Sequence, residues 1–216
     1  MAVQCPIKLT ERLSSEWKLI LGSASRSRRA IFDSLTQELG CSYEVCTADI
    51  DERAIGDRSV DDPKELVLRL AEAKAAAIRQ KLGSAARKAL LITCDQVVSH
   101  QGIILEKPVN EAEAGDFIRS YSNGPALTIG SVMCTNLWTN QVAKTLDIAE
   151  VHIRHIPDDI IQQMVTEGFV FHCAGALMVE HPMVAPYIER IEGTVDGVMG
   201  IDKTVAVRMM AEASDL

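Results

Sequence analysis

Gly22, Ser23, Ser25, Arg26, Ser27, Arg28 and Arg29 crowd into a single eight-residue stretch. They follow a strand-type run, Lys18 to Leu21, and precede an amphipathic pattern marked by Ile31, Leu35 and Leu39. A strand, a tight turn and a helix start are therefore expected. The first N–H groups of such a helix lack partners and its dipole is positive there, so an anion is the natural occupant. Serine hydroxyls and guanidinium groups suit phosphate oxygens. The plainer reading is a serine N-cap followed by a solvated basic turn. Three arginines at a helix N-terminus oppose the dipole, which favours a phosphate cradle.

Three further places carry chemistry. Asp49-Ile-Asp-Glu52 gathers three carboxylates that either bind a hard cation or form a solvated acidic loop, and the loop is the commoner fate. Lys74 falls on the apolar stripe of Leu66, Leu70, Ala73 and Ala77, where an ammonium either snorkels outward or meets an anion. Ala89 to Cys94 reads as a central buried strand that ends in Asp95-Gln-Val-Val98, with the Asp95 carboxylate at its end. An unpaired buried carboxylate is costly, so Asp95 is bonded to backbone groups or serves as a metal or catalytic group; chemistry at strand ends favours the second. Gln101-Gly102 then turns the chain, so that Asp95 and Lys107 flank one hairpin mouth. His152 and His155, three apart on a strand, point to opposite faces and make no metal pair.

The elements that must position these groups follow in order. Asp61-Asp62-Pro63 opens a long helix, Glu111 to Tyr121 reads as another, and strands are expected over Ala126 to Leu137 and Gln141 to Ile156. A helix from Pro157 to about Glu167, the small-residue run Cys173-Ala-Gly-Ala176, a short strand from Ile188 and a final helix from Thr204 complete the chain. Residues 1–17 read as an extension, and 18–216 as a single domain.

Composition narrows the function classes. A net charge of -8 and a pI near 5.2 argue against polyanionic nucleic acid, yet allow a small phosphorylated ligand at a local basic site. The six cysteines form no C-x-x-C pair, no apolar h-region precedes Lys18, and no apolar run nears the roughly 20 residues of a membrane span, so a reduced, cytoplasmic protein is expected. The terminal Ser-Asp-Leu has an acid where a peroxisomal signal wants a base.

Taken together, Leu21-Gly-Ser-Ala-Ser-Arg-Ser-Arg28, Asp51-Glu52, Leu70-Ala-Glu-Ala-Lys-Ala75, Cys94-Asp-Gln-Val97, Glu106-Lys-Pro108, Cys173-Ala-Gly175 and Val198-Met-Gly200 resemble the Maf-type nucleoside triphosphate pyrophosphatases, related in fold to the inosine triphosphate pyrophosphatases. The resemblance implies an α/β fold, a long twisted mixed sheet flanked by helices, with two lobes around a central cleft. It implies hydrolysis of a nucleoside triphosphate to the monophosphate and pyrophosphate with Mg2+ or Mn2+. It also implies Asp95 as proton acceptor, with Arg28, Glu52, Lys74 and Lys107 around the phosphates and metal, and a homodimer; the cradle reading adds Ser23 and Ser25 to the phosphate contacts, and Glu52 and Asp95 are the candidate metal ligands.

Within the family, Gln96 after the acid and Glu180 beyond the Cys-Ala-Gly segment resemble the 7-methyl-GTP branch rather than the dTTP/UTP branch. A carboxylate suits the cationic, N–H-bearing 7-methylguanine. Ser27 occupies a base-specificity position where the first branch tends to have an aromatic residue and the second arginine, and Arg26 replaces a usual proline. The rivals are a dTTP/UTP pyrophosphatase and a non-catalytic nucleotide-binding regulator of cell division.

Overall fold

The computed structural model describes residues 9–11, 13, 17–83 and 88–214. Most of the 1–17 extension and the last two residues of the Ser-Asp-Leu tail lie outside that range. The chain builds a seven-stranded mixed sheet from β1 (Lys18–Leu21), β2 (Tyr43–Val45), β3 (Ala89–His100), β4 (Ile103–Leu105), β5 (Ala126–Asn136), β6 (Val142–Ile153) and β7 (Ile188–Glu192). The order is β2-β1-β3-β5-β6-β7, with β4 paired to β3. β1 runs parallel to β2 and β3, and the other ladders are antiparallel.

From Lys18 onward the α-helices among the described residues are α1 (Arg26–Leu39), α2 (Pro63–Leu82), α3 (Glu111–Ser120), α4 (Asp158–Glu167), α5 (Val195–Val198) and α6 (Lys203–Ala213). Their starts are as the sequence signals: Ser25, Asp62, Asn110 and Asp202 each accept a bond from a first-turn N–H. Gly40 closes α1 in the left-handed conformation at φ 65°.

β3 is buried on both faces, and its alternation divides the cores. Leu90, Ile92 and Cys94 pack with α1 and α6, whereas Leu91 and Val97 lie under α2. From Val98 onward a second core begins, shared with α3, α4 and the far ends of β5 and β6. The two lobes thus meet along the middle of β3, between Cys94 and Val98. Leu9 and Leu13 are helical and buried against α1 and α6, so the described part of the N-terminal extension is packed on the first core.

One expectation is corrected. The buried strand does not end at Asp95; it continues to His100. The physical reason is β5, which pairs with β3 without interruption from Leu90↔Asn136 to Ser99↔Leu127. What ends near that level is β1, whose last pair is Leu21↔Ile92. Periodicity along one strand does not reveal where its neighbour stops.

Candidate functional site

Gly22 donates to the Ile92 carbonyl at 2.7 Å, and β4 takes up pairing only at Val98↔Leu105. Between those points one edge of β3 has no strand beside it, and the candidate site is built along this gap. A Cβ on Gly22 would lie 2.7 Å from both Ile78 Cδ1 and Thr93 Cγ2, so this turn approaches the sheet as only glycine allows. The turn brings α1 to the gap with its N-terminus at the edge.

Arg28 crosses the gap, its Nε donating to the Gly200 carbonyl at 3.0 Å and its Nη1 to the Cys94 carbonyl at 3.4 Å. These bonds fix the guanidinium while leaving other N–H donors for an anion. Ser23 is buried, and its hydroxyl accepts from the Ser25 N–H at 3.2 Å. The Ser25 hydroxyl in turn accepts from Arg28 N. The serines therefore shape the turn as well as facing it, and Ser27 is half-buried on the first turn of α1.

On the opposite face, α2 carries Lys74 down to Asp95. The ammonium lies 2.5 Å from Asp95 Oδ1 and 3.1 Å from Glu52 Oε2. Lys74 and Asp95 are 7% and 6% exposed, so this is a buried pair reached from outside by the half-exposed Glu52. Lys74 therefore meets anions of its own chain instead of snorkelling away. Two buried hydroxyls set the height of α2: Thr93 donates to the Ala71 carbonyl at 2.9 Å and Ser131 to that of Val67 at 2.7 Å. Ser131 also accepts from Asp95 N at 3.3 Å, so the same residue positions helix and acid.

Arg58, which sequence reasoning passed over, joins the loops around the gap. It donates to the Glu52 and Ile55 carbonyls at 2.9 and 2.6 Å and to Glu106 Oε1 at 3.0 Å. The Glu106 carbonyl accepts from Gly175 N at 2.9 Å, bringing the Cys173-Ala-Gly175 turn to the same rim. Lys107 is exposed where the chain leaves β4. Burial pushes the Cys173 thiol above its ordinary pKa, with nearby Glu180 adding to the shift and Lys107 opposing it. The structure thus sets Lys107 and Glu180 about one thiol, but ties neither directly to Asp95 by a contact.

Gln96, one residue beyond Asp95, faces the other side of β3. Its amide donates to the Gly197 carbonyl at 2.8 Å, which leaves the side-chain oxygen as an acceptor. The loop that supplies the Gly197 and Gly200 carbonyls is held by acids. Thr194 donates to Asp202 Oδ2 at 2.7 Å, and Asp202 N donates to Asp147 Oδ2 at 2.9 Å. Burial raises the Asp147 pKa, the Asp202 N–H lowers it, and the Asp202 carboxylate raises it again. A raised folded pKa means that stability is lost as pH climbs from the unfolded value through the folded one. Asp147→Asn, which keeps the acceptor, should therefore gain melting temperature over the wild type as pH rises above about 4, and match it in more acid solution. Thermal denaturation across that range is the check.

Glu52 and Asp95 present hard oxygen donors that already share one cation, the Lys74 ammonium. Mg2+ is commonly held by one or two carboxylates together with substrate phosphates, so this donor set fits such an ion. His155 lies beyond the end of β6 and joins no cluster with His152 among the described residues. No helix among them is long and apolar enough to cross a membrane.

A family model described as Maf-like protein matches residues 18–213. A protein of Dictyostelium discoideum named 7-methyl-GTP pyrophosphatase is 34% identical over 200 residues, spanning 91% of this chain and 97% of its own length. A protein of the same name from Idiomarina loihiensis is 35% identical over 162 residues, covering 75% of this chain and 77% of its own.

Proposed function

This chain belongs to the Maf-like family, and from that membership we propose that it is a nucleoside triphosphate pyrophosphatase acting on 7-methyl-GTP or a closely related modified purine nucleotide. The observation that carries the reading is the buried Lys74–Asp95 pair set beside a strandless edge of β3, across from the N-terminus of α1. Arg28, Lys74 and Lys107 bind the triphosphate, with the Ser23 and Ser25 turn against its oxygens. Asp95 holds the attacking water and accepts its proton as the phosphoanhydride bond breaks and pyrophosphate leaves. Glu52 and Asp95 would hold a divalent cation, Mg2+ or Mn2+, whose charge offsets that of the phosphates. Arg58 keeps the Glu52 and Lys107 loops in register.

Gln96 Oε1 and the Glu180 carboxylate accept from the N–H edge of the base, and Ser27 leaves room beside it. A cytoplasmic setting is supported by free thiols at Cys46, Cys94, Cys134 and Cys173. A homodimer is part of the same reading, supported by family resemblance alone.

Pyrophosphate release over a panel of 7-methyl-GTP, GTP, dTTP, UTP and CTP, with and without Mg2+ or Mn2+, tests the assignment. Turnover should be strongest with 7-methyl-GTP. Glu180→Ala should raise its KM by about tenfold or more, the cost of one charge-assisted hydrogen bond. Turnover confined to dTTP and UTP would move the chain to the other branch, and binding without turnover would make it a regulator.

A further inference from the structure

Away from the cleft, β6 and β7 bring three metal-binding side chains together. Glu150 and His152 are two residues apart on β6 and share its half-exposed face, and Glu192 of β7 lies directly opposite Glu150 in the ladder. Two carboxylates facing each other across a ladder repel, so the pairing calls for positive charge between them. His152 points into that position. Its Nε2 is inaccessible to solvent and has no hydrogen-bond partner, 3.6 Å from Glu150 Oε2 and 3.5 Å from Glu192 Oε1.

Those separations suit a metal ion. They exceed hydrogen-bond length, yet the edge of a tetrahedron with zinc-to-ligand bonds of about 2.0 to 2.1 Å is roughly 3.4 Å. All three ligand atoms lie within 4.8 Å of one another. An irregularity in the β6–β7 register at His152/Ile153 accompanies the site, the kind of bulge that re-aims a side chain. Arg190, opposite His152, donates to Glu192 Oε1 at 2.9 Å and orients that carboxylate while another lone pair stays open.

We propose that His152 Nε2, Glu150 and Glu192 form a second, structural divalent site that takes Zn2+, with water as the remaining ligand, and fastens the edge strand β7 to β6. An imidazole with two carboxylates suits zinc or a similar transition ion better than Mg2+. The site shares no residue with the Asp95 cleft, so it stands whether or not the catalytic assignment does.

The test is Zn2+ titration of the full chain at pH 7.5 in excess Mg2+, read by calorimetric stoichiometry and by the ring-nitrogen resonances of His152. Wild type should bind one more equivalent than His152→Ala, shift the Nε2 resonance on addition of Zn2+, and gain several degrees in Tm that the variant does not. Glu192→Gln, which keeps the strand's shape, should weaken that equivalent by about tenfold or more. Equal stoichiometry in wild type and His152→Ala would overturn the proposal. So would a His152 ring protonated on both nitrogens and unmoved by Zn2+, since an imidazolium would then bridge the glutamates.

Discussion

Asp95→Asn will lower kcat for pyrophosphate release by about 10³-fold while leaving the fold intact. The substitution keeps the side chain's size inside β3, where Asp95 is 6% exposed, and keeps an oxygen that can accept from Lys74. Lys74 also retains Glu52 at 3.1 Å, so its ammonium is not stranded. At saturating Mg2+, where the amide oxygen can still serve as a cation ligand, what disappears is the basic oxygen that takes a proton from water, a loss that belongs to the transition state. KM should therefore move little compared with kcat. Steady-state kinetics together with a melting curve check this; a variant keeping a tenth or more of wild-type turnover would remove Asp95 from the base role.

Lys74→Met is expected to cost both stability and activity. Methionine fits the aliphatic path between α2 and β3, yet it leaves the Asp95 carboxylate buried beside Glu52 without its cation. Breaking a buried pair from one side costs about 3 kcal/mol, or about 9 °C in Tm for a domain of this size. Removing both charges relieves the orphaned group. The double variant Lys74→Met with Asp95→Asn should regain most of that stability while remaining inactive. Denaturant titration of the two single variants and the double completes the cycle. Simple addition of the two losses would mean that the pair is not coupled as its 2.5 Å separation implies.

The sequence carried the local parts of this site well. A glycine after a strand, a serine cap and a lysine on an apolar helix stripe are each set by near neighbours, and Gly22, Ser25 and Lys74 stand as those signals imply. Asp95 was legible as an anomaly, but its place in mid-strand was not, because β5 props the strand beyond it from about thirty residues away. The gap beside β3 depends on where β1 stops and β4 begins, a matter of register between strands. Arg58 was missed for a related reason: its partners Glu52, Ile55 and Glu106 are gathered by loop geometry, with no spacing pattern to announce them. Likewise, His152 finds Glu192 only through the β6–β7 ladder.

A crystal structure of the Asp95→Asn protein with Mg2+ and an α,β-imido analogue of 7-methyl-GTP tests the account most directly. The triphosphate should lie along the uncovered edge of β3, within hydrogen-bond reach of Arg28, Lys74 and Lys107 and with its α-phosphorus facing residue 95. A triphosphate seated elsewhere, or touching none of those three side chains, would contradict it.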